Sequence, residues 1–390
     1  MRILYISSLY PTPLHPKIVG GAERAARALA ERMVEAGFEV EVIRGIAPDD
    51  EPTVETVNGV KVYGAPIHNI YWPFDGEKPN PLQRLAWHLK DDIGSAPDLV
   101  RERLGAFRPH IVHSHTLAGL TTEVWKLAKA HGARVVHTMH DYYLLCPRST
   151  LYAHGRPRES ISPLSRFLTR VRRARTRNVD AIVGVSGANL DLHRRHGLFT
   201  NVARSAVIGP SVIATPNPLP PRDRGSDKRL AFGYIGRMTE EKGVFDLARA
   251  LSSLPQDRVV LRMAGNADAS LRDELQSLAG MPIDFLGFVD PVKFFSDIDV
   301  TVVPSRWHEP AALAVTDSLL YGRPVLGARR GGIPEYMGTP PYGWTYDPAD
   351  ADALARTMQQ ILREGIPELS LPVLADNPAK YLALYNETDV

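Results

Sequence analysis

Apolar residues recur along this chain in two alternating rhythms, and the alternation sets the expected architecture. Short β-branched runs at residues 2–8, 38–44, 110–113, 134–139 and 180–185 read as buried strands. Between them the apolar period lengthens toward that of a helix. Residues 21–36 place Ala22, Ala25, Ala26, Leu29, Met33 and Val34 on one face, and Gly37 closes the run. Val57-Asn58-Gly59-Val60 is a hairpin turn signal between two alternating runs. Strands separated by helices predict an α/β protein with parallel sheets.

The rhythm breaks after Val207. Residues 208–228 contain Pro210, Pro216, Pro218, Pro220 and Pro221, a linker composition. A fresh strand starts at 230–235, and further strands at 259–263, 299–303 and 324–327 restart the alternation. Two doubly wound domains are therefore expected: 1–207, a linker at 208–228, and 229–370. Residues 371–390 form a last segment, and 377–385 within it are candidates to return to the first domain. Ligands in such folds sit at the carboxyl ends of the strands, here in the cleft expected between the domains.

A chain of 390 residues is long for one domain and comfortable for two. The apolar share of 44% and the charged share of 23% describe an ordinary soluble protein. No apolar run reaches the length of a membrane span, and the first residues lack the pattern of a signal peptide. A single cysteine, Cys146, excludes an internal disulfide and a cysteine-rich metal site. These features predict a cytoplasmic protein. The net charge of +2 conceals an asymmetry: residues 1–200 carry 27 Lys and Arg against 20 Asp and Glu, while the rest carries 19 against 24. A basic half suits an acidic partner, such as an anionic lipid or a charged acceptor; unevenly spread surface charge is the plainer reading.

The densest chemistry lies at 302–335. A strand ending at Pro304-Ser305 is followed by Glu309-Pro310, and proline suits the first turn of a helix that ends at Tyr321-Gly322. Gly331-Gly332 follows the next strand. Free amides at the helix start attract an anion, and the carboxylates of Glu309 and Asp317 accept from sugar hydroxyls. Gly236, Arg237, Lys242 and Gly243 follow the first strand of the second domain, with two cations five residues apart at a glycine turn. That arrangement suits a diphosphate, with a charged surface loop as the alternative. Gly20-Gly21 sits between the first strand and its helix, where backbone approaches a ligand closely or simply changes direction.

These motifs resemble glycosyltransferase family 4, among the retaining two-domain enzymes of GT-B architecture. The family shows Glu, seven residues, Glu where this chain has Glu309 and Asp317. The resemblance covers nearly the whole chain. It implies that Glu309 holds the donor sugar, and that Asp317, one carbon shorter than the family residue, faces the ribose. It further implies that Arg237 and Lys242 neutralise the departing nucleoside diphosphate, helped by amides near Ala312 and Leu313. Gly236 belongs to the same turn, and Gly20 and Gly21 would lie beside the donor phosphates and acceptor. His140 closes a Thr138-Met139-His140 segment similar to the family's Thr-x-His, which places a histidine near the reacting oxygen; a histidine that merely caps its strand is the competing reading. The co-substrate would be a UDP- or GDP-sugar, with no cofactor required and the acceptor a hydroxyl on a glycan, lipid-linked or small molecule.

His113, His115, His137 and His140 gather at two strand ends, but none forms a tight local ligand pair of the helical HExxH kind, so no metal site is expected. Arg166, Arg170, Arg172, Arg173, Arg175 and Arg177, interleaved with Phe167, Leu168 and Val171, form a basic amphipathic segment. It is a candidate contact with the anionic inner face of the cell membrane, or a solvated helix. Tyr71, Trp72, Phe74 and Trp87 line an acceptor or pack as core. No nucleic-acid module accompanies the charge.

The reading is a hexosyltransferase-type glycosyltransferase acting in polysaccharide, lipid-linked glycan or glycoconjugate assembly. A nucleotide-sugar 2-epimerase on the same fold and a non-catalytic sugar-nucleotide-binding protein remain alternatives. A nicotinamide oxidoreductase would need GxGxxG directly after the first strand, where this chain has a long proline-containing loop.

Overall fold

The computed structural model describes residues 1–16, 20–76, 79–209, 217–339, 341–368 and 377–386. They form two compact units. Residues 1–151, 159–213 and 376–390 supply the first, and residues 152–158 and 214–375 the second.

The first unit is built on β1 (Arg2–Ser7), β2 (Glu39–Ile46), β3 (Thr53–Val57), β4 (Val60–Pro66), β5 (Ile111–Ser114), β6 (Arg134–Met139), β9 (Ala181–Gly184) and β10 (Arg204–Val207). Two short strands of the second unit, β7 (Tyr152–Ala153) and β8 (Arg156–Pro157), fall between them in the chain. The sheet order is β10-β9-β6-β5-β1-β2-β4-β3, parallel except for the β3–β4 hairpin. Asn58 and Gly59 both take positive φ, +48° and +81°, as a tight hairpin turn of this kind requires. Ile3, Tyr5, Val40, Val42, Ile111 and Val136 fill the core beneath the helix Gly21–Glu35.

The second unit carries β11 (Leu230–Ile235), β12 (Val259–Ala264), β13 (Ile283–Gly287), β14 (Val300–Val303), β15 (Val325–Ala328) and β16 (Gly343–Tyr346). Its order is β13-β12-β11-β14-β15-β16, parallel throughout. Strand order reverses between β11 and β14, so their carboxyl ends flank the switch point where such sheets bind ligands. β10, β13 and β16 are shorter or more polar than the strands the sequence pattern picks out, and all three lie at or beside a sheet edge.

Chain connectivity departs from a simple division in two places. The β7–β8 hairpin belongs to the second unit although the sequence assigns it to the first domain. The helix Asn377–Asn386 belongs to the first unit, where Tyr381, Leu384 and Tyr385 join its core. Of the proline-rich linker, residues 210–216 lie outside the described residues. Asn217 and Leu219 donate backbone hydrogen bonds to Leu320 and Tyr321, so the rest of the linker lies along the second unit.

Candidate active site

In the second unit the site is assembled from two loops at adjacent strand ends. β11 runs into Gly236 and Arg237, then a 3₁₀ turn, Glu240–Lys242, and Gly243. β14 runs into Pro304, Ser305, Arg306 and Trp307 before Glu309. The Arg306 amide donates to the Glu241 carbonyl at 2.9 Å, and the Arg306 guanidinium pairs with Asp246 at 3.1 Å. These bonds stitch the loops together and bring Lys242 onto Glu309.

Lys242 Nζ lies 2.9 and 2.8 Å from the two Glu309 carboxylate oxygens. Ser305 Oγ and Trp307 Nε1 donate to Oε2 of the same carboxylate, at 2.9 and 2.8 Å. Glu309 is buried, and these donors stand in for lost water; an unpaired carboxylate there would be costly. Lys242 keeps its side chain 20% exposed and sits 5.1 Å from the Trp307 ring centroid. An ammonium has three donors, and Glu309 engages two of them.

Two glycines make the approach feasible. Gly243 has φ +77°, and a Cβ there would run into the Pro304 carbonyl. Gly331, φ +53°, lies against the Glu309 backbone, where a Cβ would overlap it, and Gly332 donates to the Glu309 carbonyl at 2.7 Å.

Arg237 is exposed at the end of β11 and forms no ion pair among the described residues. Its carbonyl accepts from the Tyr234 hydroxyl at 2.5 Å, which fixes the turn. The two cations of the sequence motif thus differ: Lys242 is committed to Glu309, and Arg237 is the open charge. The helix after Glu309 begins at Leu313, three residues later than the Glu309-Pro310 signal suggests, with Ala312 as its cap residue. Its first amides have no intrahelical acceptor. Asp317 lies on that helix and is partly buried. One strand over, Arg329, Tyr346, Asp347 and Arg356 line a polar recess of about 380 Å³, whose Arg356 is already paired with Asp350.

Gly20, Gly21 and His140 belong to the first unit: Gly20 and Gly21 open the first helix after β1, and His140 directly follows β6. Gly20 caps the helix Gly21–Glu35, and its amide donates to Glu23 Oε2 at 3.1 Å. Residues 17–19 lie outside the described residues. His140 is partly exposed, and its Nε2 lies 2.8 Å from Nδ1 of His115. Burial holds its imidazole down to about 4 and pushes the neighbouring Asp141 carboxyl up to about 6. His137 takes the opposite face of the sheet, against Ser114 and Trp125. Among the described residues no group of three or more His, Cys, Asp or Glu is placed to hold a metal.

The basic segment is corrected by the structure. Arg172 is fully buried, and its guanidinium pairs with Asp91 at 3.1 Å and Asp92 at 3.2 Å and donates to the Tyr143 carbonyl. It ties the helices Pro81–Ile93 and Arg170–Arg175 to the loop after His140, and it faces no membrane. Arg173 donates to the His196 carbonyl, while Arg166, Arg170 and Arg177 are exposed. Trp87 is core, with Tyr71 packed on it and its indole N–H donating to the Tyr71 carbonyl at 3.0 Å. No helix of the described residues is long and apolar enough to cross a membrane. Sequence reasoning missed Ser305 and Trp307 as partners of Glu309, although they stand four and two residues before it.

Comparisons with known proteins give the family and the fold. Residues 229–364 match the model for glycosyl transferases group 1, and residues 19–212 match that for glycosyltransferase family 4. A 42.6 kDa protein of the cps region of Klebsiella pneumoniae is 33% identical, over 86% of this chain and 87% of its own length. The lipopolysaccharide core biosynthesis glycosyltransferase LpsE of Rhizobium meliloti is 29% identical over 52% of this chain and 59% of its own length. Among solved structures, sucrose-phosphate synthase from Thermosynechococcus elongatus superposes with a TM-score of 0.67 at 20% identity, covering 93% of this chain and 90% of that one. Anabaena HepE, solved with UDP and glucose, gives 0.61 at 18% identity and the same coverage. These likenesses identify the fold as GT-B. The chain belongs to the group 1 glycosyltransferases of family 4.

Proposed function

We propose that this glycosyltransferase moves a sugar, with retention at the anomeric carbon, from a nucleoside-diphosphate sugar to a hydroxyl acceptor in polysaccharide or lipid-linked glycan assembly. The observation that carries the reading is the Lys242–Glu309 pair at the β11 and β14 ends, with Arg237 open beside it. Support for the donor class comes from HepE solved with UDP and glucose, and for the setting from the cps-region and LpsE relatives.

In this reading the acceptor hydroxyl attacks the anomeric carbon on the face from which the nucleotide leaves. A diphosphate oxygen takes the hydroxyl proton, so no side-chain nucleophile is needed. Negative charge grows on the departing diphosphate. Arg237, the third donor of Lys242 and the amides at Ala312 and Leu313 stabilise it. Glu309, held rigid by Ser305 and Trp307, accepts from a sugar hydroxyl. Asp317 reaches toward the ribose. The family resemblance assigns His140 to the reacting oxygen, and Gly20 and Gly21 to the donor phosphates and acceptor. Screening UDP- and GDP-sugars for protection against thermal unfolding tests the donor class: one sugar nucleotide should raise the midpoint, and no response to any of them would contradict it.

The membrane contact proposed from the sequence keeps Arg166, Phe167 and Arg170 and gives up the buried Arg172. Leu82 and Leu85 on the helix Pro81–Ile93, and Leu164 and Phe167 on the helix Pro163–Leu168, are 77, 40, 62 and 49% exposed, and the two helices pack together. Arg166 and Arg170 flank them. Apolar side chains beside arginines suit an anionic bilayer surface. Co-sedimentation with anionic but not neutral vesicles is expected, and lost in Leu164→Glu/Phe167→Glu; equal recovery of both proteins would remove the contact.

A further inference from the structure

The end of β5 carries a histidine that the transfer reading does not use. His115 is 3% exposed, and its Nδ1 lies 2.8 Å from Nε2 of His140. Its other nitrogen, Nε2, is buried without a hydrogen-bond partner. Burial holds the His115 imidazole well below its ordinary range and His140 at about 4, so both rings are neutral at pH 7. Two neutral rings meeting nitrogen to nitrogen share one proton: one donates and the other accepts.

The unpaired nitrogen decides which. A proton on His115 Nε2 would leave a buried N–H with no acceptor, and such orphaned donors are rare and costly. The neighbouring rings do not rescue it. Tyr5 stacks on His115 at 5.6 Å with planes 27° apart, and His113 lies 4.3 Å away at 31°. Both lie roughly face to face with His115, so an in-plane N–H points at neither π face. A proton on Nδ1 leaves only a lone pair unpaired. His115 therefore donates to His140, and the proton of His140 itself sits on Nδ1. That Nδ1 has no hydrogen-bond partner among the described residues.

The donor ring is braced from below. His113 bonds Thr138 Oγ1 through Nε2 at 2.8 Å and the Tyr385 hydroxyl through Nδ1 at 2.5 Å. Tyr385 also meets the Tyr5 hydroxyl at 3.0 Å, and Tyr381 meets Thr138 at 3.3 Å. The helix Asn377–Asn386 thus buttresses the two rings between which His115 is stacked.

We propose that His115 is a positioning residue that locks His140 as a neutral Nδ1–H donor, so that His140 meets a substrate oxygen by donating a hydrogen bond rather than by accepting a proton. What His140 meets rests on the proposed transfer reaction; the tautomer rests on the contacts within the first unit alone.

Long-range ¹⁵N–¹H correlation spectra of histidine-labelled protein test it, with His140 assigned by its loss in His140→Gln. In the wild type Nδ1 of His140 should be protonated and Nε2 bare at pH 7. His115→Phe keeps a stacking ring and removes the donor, and His140 should then shift toward Nε2–H, the form a free imidazole side chain favours. His115→Asn returns an N–H near the position of Nδ1 and should restore the original pattern. With an accepted sugar nucleotide, kcat should fall on the order of tenfold in His115→Phe and recover in His115→Asn. UDP affinity by calorimetry should not move. An Nε2–H His140 in the wild type, or an unchanged tautomer in His115→Phe, overturns the proposal; the wild-type spectrum decides even if His115→Phe does not fold. The expected spectra without turnover of any sugar nucleotide would support the tautomer and count against the transfer reading.

Discussion

The two units present opposite materials at the ends of their strands. In the first, His113, His115, His137 and His140 are packed as uncharged rings, partnered by Thr138, Ser114, Tyr385 and one another. In the second, Lys242 and Glu309 pair as ions, with Ser305 and Trp307 completing the carboxylate's shell. The difference follows from what each group costs to bury. A histidine sheds its charge near neutral pH at little expense, so several can share a core. A lysine or glutamate keeps its charge unless strongly perturbed, and its burial requires a partner. Within the proposed reaction the contrast has a use: fixed charge stands where the leaving diphosphate becomes negative, and neutral hydrogen-bonding rings stand in the other unit.

The largest expected effect is acid sensitivity confined to the first unit. Of the 13 histidines, only His154 and His308 fall outside it, so the proton uptake on unfolding is concentrated there. Burial lowers His137 to about 3 and His193 to about 4 from an ordinary value of 6.5. Each group's unfolded form binds a proton below pH 6.5 that its folded form refuses, so stability is lost as pH falls from 6.5 toward those values. At roughly 1.4 kcal/mol per pKa unit, each costs on the order of 3 kcal/mol near pH 4. Asp141, raised to about 6, works the other way: its folded form holds a proton longer, so it gains stability as pH falls from about 6 to the ordinary carboxylate value of 3.8. Hydrogen exchange between pH 7 and 4.5 should show protection lost first around β5, β6 and β9. Simultaneous loss in both sheets would break the comparison.

Next in size is the loss of the fixed charges. Lys242→Ala and Arg237→Ala should each raise the barrier to transfer by about 2–4 kcal/mol at saturating donor. Arg237→Ala should hardly change the thermal midpoint, since Arg237 is exposed, whereas Lys242→Ala also leaves Glu309 buried without its cation. Near-normal turnover in both variants contradicts the leaving-group assignment.

Much of this contrast was legible in the sequence, and the rest was hidden for identifiable reasons. Strand ends announce themselves by β-branched runs stopping at Gly, Pro or His, which located the turns after β6, β11 and β14; the roles expected of Lys242, Glu309 and His140 came from the family resemblance. Arg172 could not. Its segment reads as a cationic helix, and the carboxylates that bury it, Asp91 and Asp92, lie about 80 residues earlier in the chain. The His115–His140 contact was half visible: alternation places His113 and His115 on one face, but only the pairing of β5 with β6 brings His140 alongside. The β7–β8 hairpin gave no periodic signal, being two residues per strand.

The smallest effect concerns Asp317. A carboxylate one carbon shorter than the family's glutamate reaches a ribose less directly, so Asp317→Glu should tighten sugar-nucleotide binding several-fold, about 1 kcal/mol, and Asp317→Ala should weaken it. Affinity unmoved by both substitutions removes the ribose role.

The central claim, that the paired carboxylate of the second unit reads the sugar while the cations hold the diphosphate, is tested most directly by calorimetric titration of Glu309→Gln. The amide keeps the size of the carboxylate but gives up its charge. The account predicts roughly tenfold weaker binding of the accepted sugar nucleotide, with affinity for the bare nucleoside diphosphate within about twofold of the wild type. Equal weakening of the two ligands would contradict it, because the carboxylate would then be serving the nucleotide and not the sugar.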